Sequence, residues 1–189
     1  MTAKAGSVPL SRRVAHGRTA APVRQVHLGL GNFFRAHQAA YTDLATDADE
    51  WGIAAFTGRS RELADAMSSQ DGLYTLITQA PEGNHFDVIA SISKAHAGAD
   101  LDMWLRYLRM SETRILTLTV TEAAYCRGKS SGLNPDAPHV SADMASLRAG
   151  EYHAVSSVPG RLVAGLAARR AADAGPVSVV PCDNLPDNG

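Results

Sequence analysis

The segment Val26-His27-Leu28-Gly29-Leu30-Gly31 limits what this chain can fold into more than any other. A short apolar run ending in two glycines reads as a buried strand stopped by a tight turn, and Phe33, Ala36, Ala40, Tyr41 and Leu44 then recur at helical spacing. Trp51-Gly52-Ile53-Ala54-Ala55-Phe56 follows as a second strand of the continuously apolar kind that parallel sheets use, closed by Thr57-Gly58-Arg59-Ser60. Strand, turn, helix and strand complete a β-α-β unit, which requires a sheet covered by helices.

The same rhythm extends down the chain. Core strands are predicted at about 25–30, 51–56, 115–120 and 177–181, and helices at about 33–45, 61–67, 101–110 and 159–174. Leu73 to Thr78 and Phe86 to Ile92, separated by Pro81-Glu82-Gly83-Asn84, read as a hairpin insert between 73 and 92. Residues from 127 to about 157, with Gly128, Gly132, Pro135 and Pro138, read as loop. The polar, aperiodic residues 1–22 are expected to form a flexible arm ahead of one domain over 23–189. Alternating strands and helices imply a doubly wound α/β fold with a mostly parallel sheet, and function is to be sought at the carboxyl ends of its strands.

Charge narrows the partners. With 18 Lys and Arg against 19 Asp and Glu, the chain has no long-range attraction for phosphate backbones or anionic lipid, so no nucleic acid and no membrane partner is expected. No apolar run is long enough for a membrane span, and residues 1–22 lack the apolar core of a secretory signal, so a cytoplasmic address is expected. Cys126 and Cys182 lie outside any CxxC spacing, and no metal site is indicated.

Gly29-Leu30-Gly31 carries two glycines of a dinucleotide fingerprint, with Phe34 at the third position. Gly29 permits the tight turn, Gly31 lets backbone approach a pyrophosphate, and the following helix start, Asn32 and Phe33, offers free N–H groups; an ordinary strand-to-helix turn is the alternative. The second strand ends without the Asp or Glu that holds the ribose hydroxyls of NAD. Arg59 and Ser60 stand there instead, suited to a 2′-phosphate or simply solvated, which leaves NADP open.

Gly29-Leu30-Gly31-Asn32-Phe33-Phe34-Arg35-Ala36-His37-Gln38-Ala39 resembles the GxGNFxRAHQA signature of the mannitol dehydrogenase family, the polyol-specific long-chain dehydrogenases and reductases. Trp51-Gly52-Ile53, Gln70 to Leu76, Thr117 to Tyr125 and Cys182-Asp183-Asn184-Leu185-Pro186-Asp187-Asn188-Gly189 are similar to that family's later blocks, in order. The departures are Phe34, where the family often has His, and Ala123-Ala124 in place of bulkier residues or glycine.

The resemblance implies a Rossmann-like cofactor domain and NAD-dependent hydride transfer, without a metal, between nicotinamide and a polyol, ketose or sugar acid. It assigns Asn184 an oxyanion-stabilising role, where loss of such a donor costs about 3 to 4 kcal/mol of barrier, and Glu122 a place in a water-linked proton path. Capping of the last strand and a helix-starting acid are the structural alternatives for these two residues. The family's catalytic Lys lies in a KxxxxNxxH block of a helical C-terminal domain. The lysines here are Lys4, Lys94 and Lys129, none in such a block. The chain is therefore expected to be the cofactor half of such an enzyme and inactive alone, truncated before the catalytic domain; a non-catalytic nucleotide-binding module or an inactive fragment is the rival reading.

Overall fold

The computed structural model describes residues 10–13, 18–58, 60–128 and 132–185. Its frame is a five-stranded sheet built from β1 (Val23–Leu28), β2 (Gly52–Phe56), β5 (Ile92–His96), β6 (Ile115–Leu118) and β7 (Ser178–Pro181), in the order β5-β2-β1-β6-β7. Every pair is parallel. A two-stranded antiparallel hairpin, β3 (Tyr74–Ala80) with β4 (Gly83–Ile89), stands apart, as the sequence predicts. The helices are α1 (Asn32–Ala36), α2 (Gln38–Leu44), α3 (Arg61–Ser69), α4 (Leu101–Leu108), α5 (Pro138–Ala149) and α6 (Val158–Ala171). The chain winds outward from β1 to β2 and β5, then returns to β6 and β7, so strand order reverses between β1 and β6.

Two cores flank this sheet. Val26, Leu28, Ala54, Phe56, Leu116 and Leu118 pack against α4 and α6, with Trp104 in their midst. Ile53, Ala55 and Ile92 face the other way, onto Phe34, Ala39, Ala40 and Met67. Period-two alternation in β1 and β6 puts Gln25, His27 and Thr117 on the second face, where all three are buried polar residues.

The structure corrects the sequence reading in three places. β5 is a full member of the sheet, but Ser93, Lys94 and His96 dilute its apolar pattern. It tolerates them as an edge strand, with Lys94 exposed, and the neighbouring Ser91 and Ser93 hydroxyls donate to the carbonyls of Ala39 (2.6 Å) and Ala21 (2.7 Å). α5 occupies the stretch read as loop. Only Val140 and Asp143 of it are buried, too little apolar surface to show as a periodic stripe. The predicted 33–45 helix is two helices, broken at His37.

Backbone polar groups at the awkward corners are met by side chains. Hairpin gives way to parallel sheet at Ala90, whose N–H donates to Asp43 (2.9 Å) and whose carbonyl accepts from Arg12 (2.6 Å). Arg12 also donates to the carbonyls of Asp71 (2.9 Å) and Ile92 (3.0 Å). The sequence expects residues 1–22 to be free of the fold; the described residues of that segment include Arg12, so bonded, and Arg18, paired with Asp43 at 3.0 Å. At the opposite edge of the sheet, Arg169 is 3% exposed and directs its guanidinium at five carbonyls, those of Leu108, Met110, Ala174, Gly175 and Pro176 (2.7 to 3.1 Å). No single-charge substitute reproduces that fan, because lysine has three donors on one nitrogen.

Arg169→Lys is therefore expected to lower the free energy of unfolding by about 3 kcal/mol in urea titration, since several buried carbonyls lose their donor. A second expectation concerns acid. Burial holds the His27 imidazole down to about 3, far below its ordinary value of 6.5. Between those limits the unfolded chain binds a proton that the folded chain refuses. Stability should thus fall with pH by about 1.4 kcal/mol per unit below 6.5 from this group alone. His96, also lowered by burial, acts in the same direction. Unfolding midpoints at pH 7.5 and 5.5 should show a smaller difference in His27→Gln than in the unsubstituted chain; equal differences would refute the assignment.

Candidate functional site

The carboxyl ends of the five strands open onto one rim, and the turn after β1 lies at the point where strand order reverses. Gly29 sits at φ 117°, and its N–H and that of Leu30 both donate to the Phe56 carbonyl (2.9 Å each). A Cβ here would lie 2.1 Å from the Thr119 carbonyl oxygen, so both conformation and space demand glycine. Gly31 differs. Its backbone is extended (φ −124°, ψ −175°), and a Cβ on it would find only the Gly29 carbonyl, at 3.6 Å. Nothing among the described residues requires a glycine there; an external group approaching the backbone would.

α1 opens at Asn32 with no side-chain cap, so its first N–H groups stay available at the same spot. Asn32 is exposed, and its side-chain oxygen accepts from the Arg35 guanidinium. Arg35 folds back over the turn, its Nε 3.4 Å from the Gly31 carbonyl and its guanidinium carbon 5.8 Å from the centre of the Tyr74 ring. Its i, i−3 and i, i−4 relation to Asn32 and Gly31 is the signal that places it on the turn. Phe33 is 48% exposed and stacks on His37 (centroids 4.3 Å). Phe34, at the third glycine position, is fully buried and stacks on His27 (3.5 Å, 9° between planes). The helix breaks at His37, whose Nδ1–H donates to the Phe33 carbonyl (2.7 Å).

At the end of β2, Thr57 is buried and its hydroxyl accepts from the Gly98 N–H (2.9 Å). Ser60 caps α3 by accepting from Leu63 N–H at 3.4 Å. Arg59, singled out in the sequence, lies outside the described residues. No carboxylate stands at Thr57, Gly58 or Ser60.

Glu122 and Asn184 lie on the exits of the neighbouring strands β6 and β7. Glu122 opens a 3-10 turn, Glu122–Tyr125, and both side chains are exposed. Asp183 joins the two exits, accepting from the Val120 N–H and the Tyr125 hydroxyl. Burial, together with Asp183, pushes the Tyr125 phenol up, so it remains a donor. The strand-capping role thus falls to Asp183, while the Asn184 amide remains on the rim. Cys182 and Cys126 are separate: Cys126 pairs with His139 (Sγ to Nε2 3.1 Å), its thiol pushed up by burial. Among the described residues no three His, Cys, Asp or Glu side chains converge as a metal site would need, and no helix is long and apolar enough to cross a membrane.

Comparison with known proteins agrees with this geometry. The family model for the mannitol dehydrogenase Rossmann domain matches residues 23–189. Mannitol 2-dehydrogenase of Pyrenophora tritici-repentis is 36% identical over 192 residues, covering 97% of this chain and 32% of that protein. Mannitol 2-dehydrogenase of Cereibacter sphaeroides is 33% identical over 183 residues, covering 94% and 37%. Among solved structures, the ternary complex of Pseudomonas fluorescens mannitol 2-dehydrogenase with NAD and D-mannitol superposes with a TM-score of 0.81 at 29% identity, covering 95% of this chain and 39% of that one. The chain spans roughly a third of the length of the curated relatives it matches. With the signature, the reversed strand order and the family model in agreement over one stretch, the chain belongs to the mannitol dehydrogenase family, whose Rossmann domain it carries.

Proposed function

We propose that this chain binds NAD(H) across the crevice between β1 and β6 and forms the cofactor half of a metal-free secondary-alcohol dehydrogenase acting on a polyol or, in reverse, on a ketose or sugar acid. The observation that carries the reading is the contrast between the two glycines. Gly29 is required by the protein's own packing, whereas a Cβ on Gly31 would meet, among the described residues, only the Gly29 carbonyl at an ordinary contact distance of 3.6 Å. The residues around it fit a dinucleotide: an uncapped helix start at Asn32 and Phe33 and a guanidinium, Arg35, on the same edge supply donors and positive charge for a diphosphate. The two sequence relatives described above are mannitol 2-dehydrogenases, and the mannitol 2-dehydrogenase of Pseudomonas fluorescens was solved with NAD and D-mannitol.

Bound nicotinamide would supply the hydride acceptor or donor. The chain's own residues then have separate tasks. Gly31 and the first turn of α1 hold the diphosphate. Asn184 donates from its amide to the substrate oxygen as charge develops there. Glu122, exposed on the adjoining exit, exchanges protons with water. The base that takes the alcohol proton is the Lys of the family's KxxxxNxxH block, which this sequence lacks; Lys94 lies exposed within β5. NAD is the cofactor proposed, and with no acid at the end of β2, NADP is the comparison to make.

Calorimetric titration of the 189-residue chain with NADH and with NADPH tests the reading. Saturable NADH binding without polyol oxidation is expected. Gly31→Val should weaken binding at least about tenfold with an unfolding midpoint within about 2 °C of the unsubstituted chain, because the new side chain meets only ligand. Gly29→Ala should instead lower that midpoint. Undiminished binding by Gly31→Val would refute the assignment, and stronger NADPH binding would transfer the cofactor preference to Arg59.

A further inference from the structure

Beneath the β1 turn runs a line of buried polar side chains that the proposed reaction does not use. Gln25, His27 and Thr117 are 6%, 0% and 5% exposed, on a sheet face whose neighbouring positions are Ile53 and Ala55. Buried polar groups lower stability relative to aliphatic ones unless all their hydrogen bonds are made, so an unbroken set calls for a reason.

Donor and acceptor chemistry gives this set a direction. A carbonyl can only accept, so the Thr119 hydroxyl uses its proton on the Gly29 carbonyl (2.9 Å). Thr119 Oγ1 then accepts from His27 Nε2 (3.0 Å), which must carry hydrogen. The opposite nitrogen, Nδ1, accepts from the Thr117 hydroxyl (2.7 Å), and Thr117 in turn accepts from the Gln25 amide (3.1 Å). Every proton points the same way, from Gln25 at the amino end of β1 toward Gly29 at its carboxyl end. Phe34, stacked on the imidazole, holds the ring plane. The line ends on the turn residue whose φ of 117° and contact with Thr119 admit only glycine.

We propose that His27, as the neutral Nε2–H tautomer, and Thr119 are positioning residues for the dinucleotide-binding turn: their one-way hydrogen-bond chain fixes the Gly29 carbonyl and thereby aims Gly31 and the start of α1 at the diphosphate. The inference rests on the nucleotide-binding reading above and adds residues to it. Strand β1 thus contributes through its buried face as well as its carboxyl end. Thr119 keeps its place in the ladder through its N–H to the Leu28 carbonyl (2.9 Å) whatever its side chain, so the hydroxyl can be removed without unpicking the strand.

The test compares Thr119→Val, isosteric but without the link, with Thr119→Ser, which keeps it, in the 189-residue chain. NADH affinity should fall about tenfold in Thr119→Val and stay within about twofold in Thr119→Ser, as expected for loss of one buried hydrogen bond. A purely structural role would lower the unfolding midpoint of Thr119→Val while leaving its dissociation constant unchanged, and that result overturns the proposal. Absence of NADH binding by the unsubstituted chain would instead refute the nucleotide reading. A ligand-free measurement decides the chain's direction even if Thr119→Val does not fold. Imidazole ¹⁵N shifts of His27 at pH 7.5 should show Nε2 protonated and Nδ1 bare, and an Nδ1–H tautomer or an imidazolium would overturn it.

Discussion

The contact between Gly29 and Thr119 governs the carboxyl rim of this domain. Gly29 can turn sharply only because it has no Cβ, and the space a Cβ would take is filled by the backbone of the strand across the topological switch. β1 and β6 therefore approach each other more closely at their ends than side chains would allow. Both Gly29 and Leu30 hang from the Phe56 carbonyl on the other flank, so the turn is gripped by β2 and β6 together. A loop held on both sides keeps its N–H groups aimed without help from a bound ligand, and preorganisation of that kind lowers the entropy lost on binding.

The sheet's corners are solved by another device, side chains that satisfy backbone groups left over where one hydrogen-bonding regime ends. Asp43 and Arg12 take the N–H and carbonyl of Ala90 at the passage from hairpin to parallel strand. Arg169 gathers the carbonyls around the turn into β7 without any carboxylate among its hydrogen-bond partners. Asp183 does the complementary task at the other end of β7, collecting the Val120 N–H and the Tyr125 hydroxyl. In each case a charged group meets main-chain polar groups, alone for Arg169 and alongside a side-chain partner for Asp43 (Arg18) and Asp183 (Tyr125), which suits arginine's planar set of donors and a carboxylate's two acceptor oxygens.

Much of this was legible in the residues, for physical reasons. β2 is buried on both faces and apolar throughout, β1 and β6 carry apolar residues on the face turned to α4 and α6, and the hairpin declares itself through Pro81 and Gly83 between two β-branched and aromatic runs. The positions of Gly29, Gly31, Glu122 and Asn184 at strand ends follow from the same pattern. β5 escaped because an edge strand with one neighbour tolerates serine, lysine and histidine, and α5 escaped because it buries so little. The break at His37 was hidden by continuous helical spacing, since apolar periodicity runs on across it. The reach of Arg35 back to Asn32 and Gly31 depends on side-chain geometry, which composition does not carry.

Arg12 has a consequence for the order in which the molecule assembles. Its partners lie 59, 78 and 80 residues along the chain, at Asp71, Ala90 and Ile92, and those carbonyls converge only once hairpin and β5 have taken their places. Groups so far apart in sequence meet only at the cost of closing a long loop. The Arg12 bonds therefore act as a latch on the completed sheet, tying a residue ahead of β1 to the hairpin and to the edge strand β5 at once.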